Sequence, residues 1–311
     1  MLPVKKVYID TRYKTNDSIS TSQFKIELPD TLALPHNTIF HLDDISIPHS
    51  WRTVEEDVND KLYMQVSVLD ASLSIFNTNT CKIVTLAPGN YASIQLLANE
   101  IQSKANIQFN TAAHPNPFTV TVNDSTNTLK FVCLNTIKAK VFTNSDIKSK
   151  LVNYAQNNWD GSYIGNVPNV WDGSWQGDYY DSDNSHNANE LIGNTEGPGY
   201  LFNLTIPFTT GYVDLQPIKN VYIHSANLGS FKTIGPKGES TIIKKVPVTA
   251  NENQMIFSTV TSSSDYLDCS RQTLKTISFE LKDAHGTLIN LHGANLSFSI
   301  VFDKYRSDVA N

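Results

Sequence analysis

Residues 159–178 read WDGSYIGNVPNVWDGSWQGD, so the phrase Trp-Asp-Gly-Ser followed by an aromatic residue occurs twice, twelve residues apart. Trp159, Trp171 and Trp175 are three of the four tryptophans in the chain, and Tyr163, Tyr179 and Tyr180 stand among them. Flat rings beside carboxylates and amides suit binding, because each ring buries apolar area while its polar neighbours take hydrogen bonds; a sugar ring or a protein hot spot is the natural ligand. The same six residues also fit a second reading, in which they pin a long loop onto its own domain as a miniature core. Just downstream, Asp178, Asp181 and Asp183 invite comparison with a calcium loop. An EF-hand loop starting at Asp181 would place His186 where the sharp turn needs glycine and Ile192 where a bidentate glutamate is needed. That excludes the standard motif and leaves the three aspartates as candidates for a looser calcium site, with no other metal and no cofactor expected.

The remaining residues offer little reaction chemistry. His36, His41 and His49 lie close in sequence, but no HxxxH or HExxH spacing occurs, so they are expected to be core or surface positions. There is no GxSxG elbow and no Walker loop, and Gly235-Pro-Lys-Gly238 reads as a turn. Neighbouring carboxylates such as Asp43-Asp44 and Glu55-Glu56 should point to opposite faces of a strand, which prevents them from flanking one substrate bond. The three cysteines, Cys81, Cys133 and Cys269, are odd in number and widely spaced, and are expected to stay reduced in the core. Sequons at Asn123, Asn203 and Asn295 are read as chance matches. The expectation is a protein that is not an enzyme.

What must position these residues is a β scaffold. The 311 residues are 40% hydrophobic and 17% charged, a globular balance rich in Val, Ile, Thr, Tyr and Phe, with Gly and Pro distributed as turn formers. The net charge of −6 is uneven: residues 151–218 hold eight acidic residues and no Lys or Arg, which leaves the remainder at +2. That is far from the basic footprint of a nucleic-acid binder. The N-terminal MLPVKKVYIDTRYK has no apolar signal core, and no apolar run reaches the roughly 18 residues of a membrane span, so a soluble chain made in the cytosol is expected.

Period-two alternation marks about a dozen strands, at 4–9, 24–28, 39–45, 61–69, 80–86, 117–123, 127–134, 219–225, 240–248, 253–261, 274–282 and 294–302. The pair at 117–134 reads as a hairpin around a short polar turn. One helix is predicted: Ser93 as N-cap, then Ile94, Leu97, Ala98 and Ile101 at helical spacing, running to about Lys104. A short polar turn of helix is expected at 146–151. Residues 154–200 break the pattern, being rich in Asn, Asp, Gly and Ser with hardly any aliphatic periodicity, and read as one long excursion. The predicted fold is all-β: a single jelly-roll β-sandwich with one short helix and a large loop insertion, the jelly-roll domain spanning 1–153 and 201–311 and the acidic, aromatic insert 154–200.

Four stretches also carry a family likeness: VYIDTRYKTNDSIS…DISIPHSWRTV (7–54), APGNYASIQLLANEIQ (87–102), NVYIHSANLGSF…IIKKVPV (220–248) and DYLDCSRQTLK…NLSFSIVF (265–302). Together they resemble the minor capsid (penton) proteins of Maverick/Polinton elements, adintoviruses and polinton-like viruses, and more distantly the virophage pentons. Asn187–Thr195 (NANELIGNT) shares the likeness, whereas the WDGS phrases do not. The resemblance implies a jelly roll, five copies of which form the vertex of an icosahedral virion. The implied partners are the chain itself and a double-jelly-roll major capsid protein. The insert would then be the part free to meet a host surface protein or glycan. A carbohydrate-binding β-sandwich using the Trp-rich segment is the alternative, and a hydrolase a third, for which no nucleophile, base and orienting group can be assembled.

Overall fold

The computed structural model describes residues 5–70, 75–144, 169–171, 187–194, 201–228, 233–259 and 263–304. In chain order the elements begin with β1 (Lys5–Asp10), β2 (Gln23–Ala33), β3 (Thr38–Pro48), β4 (Lys61–Asp70) and β5 (Ile75–Thr85), followed by the helix α1 (Ile94–Phe109). Next come β6 (Phe118–Asn123), β7 (Thr128–Cys133), β8 (Ile137–Val141), β9 (Asn169–Trp171), β10 (Leu201–Phe202) and β11 (Phe208–Thr209). The last are β12 (Asn220–His224), β13 (Ile242–Pro247), β14 (Met255–Ser258), β15 (Leu267–Asp268), β16 (Thr273–Lys282) and β17 (Ser297–Lys304).

These elements form two compact units, Met1–Trp51 with Ile218–Asn311, and Arg52–Pro217. In the first, one sheet has the order β1-β17-β3-β14, with β15 also on β3, and the other the order β13-β12-β16-β2. Every pairing in both is antiparallel. Nine strands that pass between a five-stranded and a four-stranded antiparallel sheet in this succession make a jelly roll. Between the sheets, Phe279 on β16 lies against Phe24 on β2 (centroids 5.3 Å apart) and edge-on to Phe298 on β17 (5.1 Å). All three rings are buried, so the core of the sandwich is aromatic at its centre.

Strand β3 shows how the sequence negotiates this core. Phe40 and Leu42 point inward, then the parity changes and Ile45 and Ile47 do. The change needs one extra residue, and β3 supplies it: Ser297 of β17 faces Ser46 but Ser299 faces Asp43, a bulge at which Asp44 adopts φ of 50°. The bulge overturns the expectation for the Asp43-Asp44 pair. Both carboxylates turn to the same cation, Lys6 Nζ, at 3.3 and 2.5 Å, because the extra residue cancels the alternation that would have separated them. The bond to Lys6 holds the Asp44 carboxyl below its usual range, and Ser299 Oγ lies 3.3 Å from it. A β-branched side chain is strained in the left-handed region. Asp44→Val is therefore expected to unfold at lower urea than Asp44→Gly, although both lose the same ion pair; equal midpoints would show that backbone conformation at the bulge does not matter.

The second unit contains the sheet β10-β8-β4-β5-β9, the smaller sheet β11-β7-β6, and α1. Its core gathers Leu62, Met64 and Val66 from β4, Leu97, Ala98, Ile101, Ala105 and Phe109 from α1, and the rings of Phe118, Phe131, Phe202 and Phe208. The expected hairpin is present, Asn123 facing Thr128 across the turn. Ser93 caps α1 as expected, accepting from Leu96 N, but the helix runs to Phe109 and not to about Lys104. The extension is held from outside the helix: Asn106 accepts from Phe118 N (2.7 Å) and donates to Phe118 O (3.0 Å), and Gln102 accepts from Val120 N (2.8 Å). The helix amides thereby satisfy one edge of β6, a tertiary contact with no local signature. The helical turn expected at 146–151 lies outside the described residues.

The contact boundaries at 51/52 and 217/218 differ from the composition boundaries at 153/154 and 200/201. Strands β6 and β7 alternate just as the jelly-roll strands do, and alternation tells which face of a strand is buried without telling which sheet it joins.

Candidate functional site

Of the residues singled out by the aromatic repeat, the structure describes only Trp171, and only its backbone. It ends β9, which pairs in parallel with β5, Trp171 opposite Cys81, at the edge of the five-stranded sheet. Trp159, Tyr163, Trp175, Tyr179 and Tyr180, and the calcium candidates Asp178, Asp181 and Asp183, lie outside the described residues.

The chain is described again at Asn187, and there it is tightly built. Ala188 N donates to Lys61 O (2.7 Å), Asn189 Nδ2 to Phe142 O (2.9 Å) and Asn194 Nδ2 to Asn189 Oδ1 (3.0 Å). These buried amides are satisfied by one another and by backbone, as burial requires. Leu191 and Ile192 enter the core beside them. Gly193 has φ of +66°, and its ideal Cβ would stand 2.6 Å from Tyr212 O and 2.8 Å from the carbonyl carbon of Gly211. Only glycine fits this crossing of two chain segments.

The three N-terminal histidines go to separate places. His36 is exposed and accepts from Arg271 Nε at 3.0 Å. His41 is partly buried against the ring of Tyr266, 4.6 Å away. His49 is buried on Trp51 at 4.3 Å, with its Nδ1 2.9 Å from Ala250 O. Among the described residues no group of three His, Cys, Asp or Glu is placed to hold a metal ion. Cys133 and Cys269 are buried free thiols, each pushed up to about 12 by burial and therefore protonated and unreactive at neutral pH. Gly235–Gly238 is the expected turn, closed by Gly238 N to Gly235 O at 3.0 Å.

A further polar site lies on the jelly roll, where the sequence shows no motif. In β12, Val221 and Ile223 belong to the core, and the alternation places His224 on the opposite face of its sheet. The register sets His224 beside Glu280 of β16, and Glu280 beside Gln23 of β2, a single row across three strands. This row, Thr241 and the residues 17–19 line a cavity of about 230 Å³. Gln23 Nε2 donates to Glu280 Oε1 (2.9 Å), Lys282 Nζ meets Glu280 Oε2 (2.6 Å), and Lys25 Nζ meets Asp17 Oδ2 (2.6 Å). His224 is 4% exposed, with its Nδ1 2.9 Å from Thr241 Oγ1. Burial, and then the charge of Lys282, lower the pKa of His224, so its ring is neutral at neutral pH. Burial works against ionisation of Glu280, but the hydrogen bond and charge of Lys282 outweigh it and hold the carboxyl below its usual range. Sequence reading missed this site because a histidine at an outward position of NVYIHS has no partner within its own segment.

The strand succession and pairing define the chain as a jelly-roll protein carrying a second, β-rich unit between its third and fourth jelly-roll strands. No helix among the described residues is long and apolar enough to cross a membrane. No family model and no curated protein match the sequence. Among solved structures, the chain is similar to the crystal structure of the selenomethionine-labelled mavirus penton protein, with 10% identity and a TM-score of 0.45, over 97% of this chain and 100% of that one.

Proposed function

We propose that the chain is a structural minor capsid protein, the pentameric vertex or penton of an icosahedral double-jelly-roll virus or virus-like transposon of the Maverick/Polinton kind, resident in the virion and without catalytic activity. The observation that carries this reading is where the family-like words fall in the fold. Three of the four stretches that resemble penton proteins are jelly-roll strands with their connections: β1 to β3, β12 to β13, and β15 to β17. The fourth is the start of α1. Jelly rolls are a recurrent capsid architecture, and a five-fold ring asks for what such a scaffold has, a rigid sandwich whose side and loops can form a heterologous, closing interface. The partners in this reading are further copies of the chain and a double-jelly-roll major capsid protein.

The finer part of the proposal assigns the acidic, aromatic insert, residues 154–200 apart from the core-packed 187–194, to contact with a host surface protein or glycan. Its support is composition, together with the position of Trp171 at a sheet edge in the inserted unit. Lectins share the jelly-roll architecture, which keeps a free-standing carbohydrate-binding sandwich as the second reading.

Native mass spectrometry and electron microscopy decide between them. The expected species is a pentamer, formed by the pure chain or on addition of the major capsid protein. Monomers alone, across varied salt and with that partner present, would sink the capsid reading; monomers that bind a glycan array only while Trp159, Trp171 and Trp175 are intact would favour the second.

A further inference from the structure

We infer that the cavity beside His224 is a binding site for a neutral, hydroxyl-bearing ligand, a single sugar ring of a glycan, held on the jelly roll itself. The inference does not depend on assembly, and it is separate from any role of the Trp-rich segment.

Charge is the first ground. Each carboxylate at the cavity has its own ammonium partner, Asp17 with Lys25 and Glu280 with Lys282, and the buried imidazole is neutral. The site therefore has no net charge to offer an ionic ligand. An anion would meet the oxygens of Glu280, and a cation would approach Lys25.

The unfilled hydrogen-bond positions are the second ground. Gln23 uses its amide nitrogen on Glu280, and its Oε1 makes no hydrogen bond among the described residues. Both oxygens of Glu280 are engaged once, and each keeps a further lone pair. His224 spends Nδ1 on Thr241, and its second ring nitrogen is without a partner among the described residues although the side chain is almost fully buried at the cavity wall. That nitrogen keeps access to solvent, so a ligand group in the cavity can reach it. Adjacent hydroxyls of a sugar fit this row because each both donates and accepts: donation to Gln23 Oε1 and Glu280, and either role toward a neutral imidazole.

Size and rim are the third. A volume of about 230 Å³ is below the range of drug-sized pockets and admits one ring, not a chain. Ile19 lines the opening and is 78% exposed, an apolar surface against which the less polar face of a sugar can lie.

The test is a titration of the full chain, labelled with ¹⁵N, with galactose, N-acetylglucosamine and mannose, and with acetate and methylguanidinium as charged controls. At least one sugar is expected to shift the His224 ring signals and the amides of Gln23 and Glu280 saturably, with the charged probes inert. Gln23→Ala, a surface substitution that leaves the core intact, is expected to weaken that sugar about tenfold, the ratio given by loss of a hydrogen bond of ~1.4 kcal/mol. Absence of any sugar response at His224, or an equal response to methylguanidinium, would overturn the inference. So would sugar binding that shifts tryptophan signals alone and survives Gln23→Ala, an outcome that leaves the Trp-rich segment as the glycan site.

Discussion

Phe279→Ala is expected to destabilise the jelly roll by about 3–5 kcal/mol, the cost of removing a fully buried aromatic ring whose space cannot close. Phe279 is 0% exposed and touches rings from two directions, Phe24 beside it in its own sheet and Phe298 across the sandwich. A truncation there loses the transfer energy of the ring, two aromatic contacts and the packing of two sheets at once. Both neighbours are held by strand pairing, so neither can swing in to fill the space. Phe279→Leu should recover most of the loss. Urea or guanidinium midpoints at unchanged slope give the measurement. A loss below about 1 kcal/mol, an ordinary surface value, would mean that the centre of the sandwich is less closely packed than its ring geometry indicates.

Gly193→Ala should cost about 2–5 kcal/mol, combining about 1–2 for a side chain in the left-handed region with about 1–3 for overpacking. The atoms in the way belong to backbone, Tyr212 O and the carbonyl of Gly211, which cannot turn aside as a side chain would. Their displacement would also disturb Gly211 N to Gly193 O (3.2 Å) and Asp214 N to Leu191 O (2.9 Å), the bonds that tie residues 187–194 to residues 211–214. The effect should be local to the inserted unit: amide protection lost around Ala188–Asn194 and Val213, with that of β16 and β17 unchanged. If Gly193→Ala leaves exchange at Leu191 and Ile192 unaltered, the close crossing at Gly193 is not what secures this segment.

These two residues stand differently toward the sequence. Phe279 was legible: it lies in TLKTISFELK, where alternation marks the strand and the buried face together. Gly193 carried no such sign, because what forbids a side chain there is a carbonyl contributed by a different segment. The same distinction runs through the molecule. The dozen alternating runs are strands, the N-cap at Ser93 is a cap, and the hairpin at 117–134 is a hairpin, since each is specified by residues close in sequence. Strand β8 (IKAKV) escaped notice through shortness, and α1 was read too short because its last turns depend on β6.

Sequence by itself determined the all-β class, the positions of a dozen strands and of α1, and the absence of the common catalytic and metal motifs. Each of these depends on periodicity, on local chemistry or on words within one segment. Tertiary structure alone decided which strands share a sheet, and so that the jelly roll consists of residues on either side of Arg52–Pro217. It also decided that Asp43 and Asp44 converge on one lysine, and that His224, Glu280 and Gln23 form one row. Alternation records that a face is buried, but hydrogen-bonded register chooses the neighbour, and register is settled only when the whole sheet has formed.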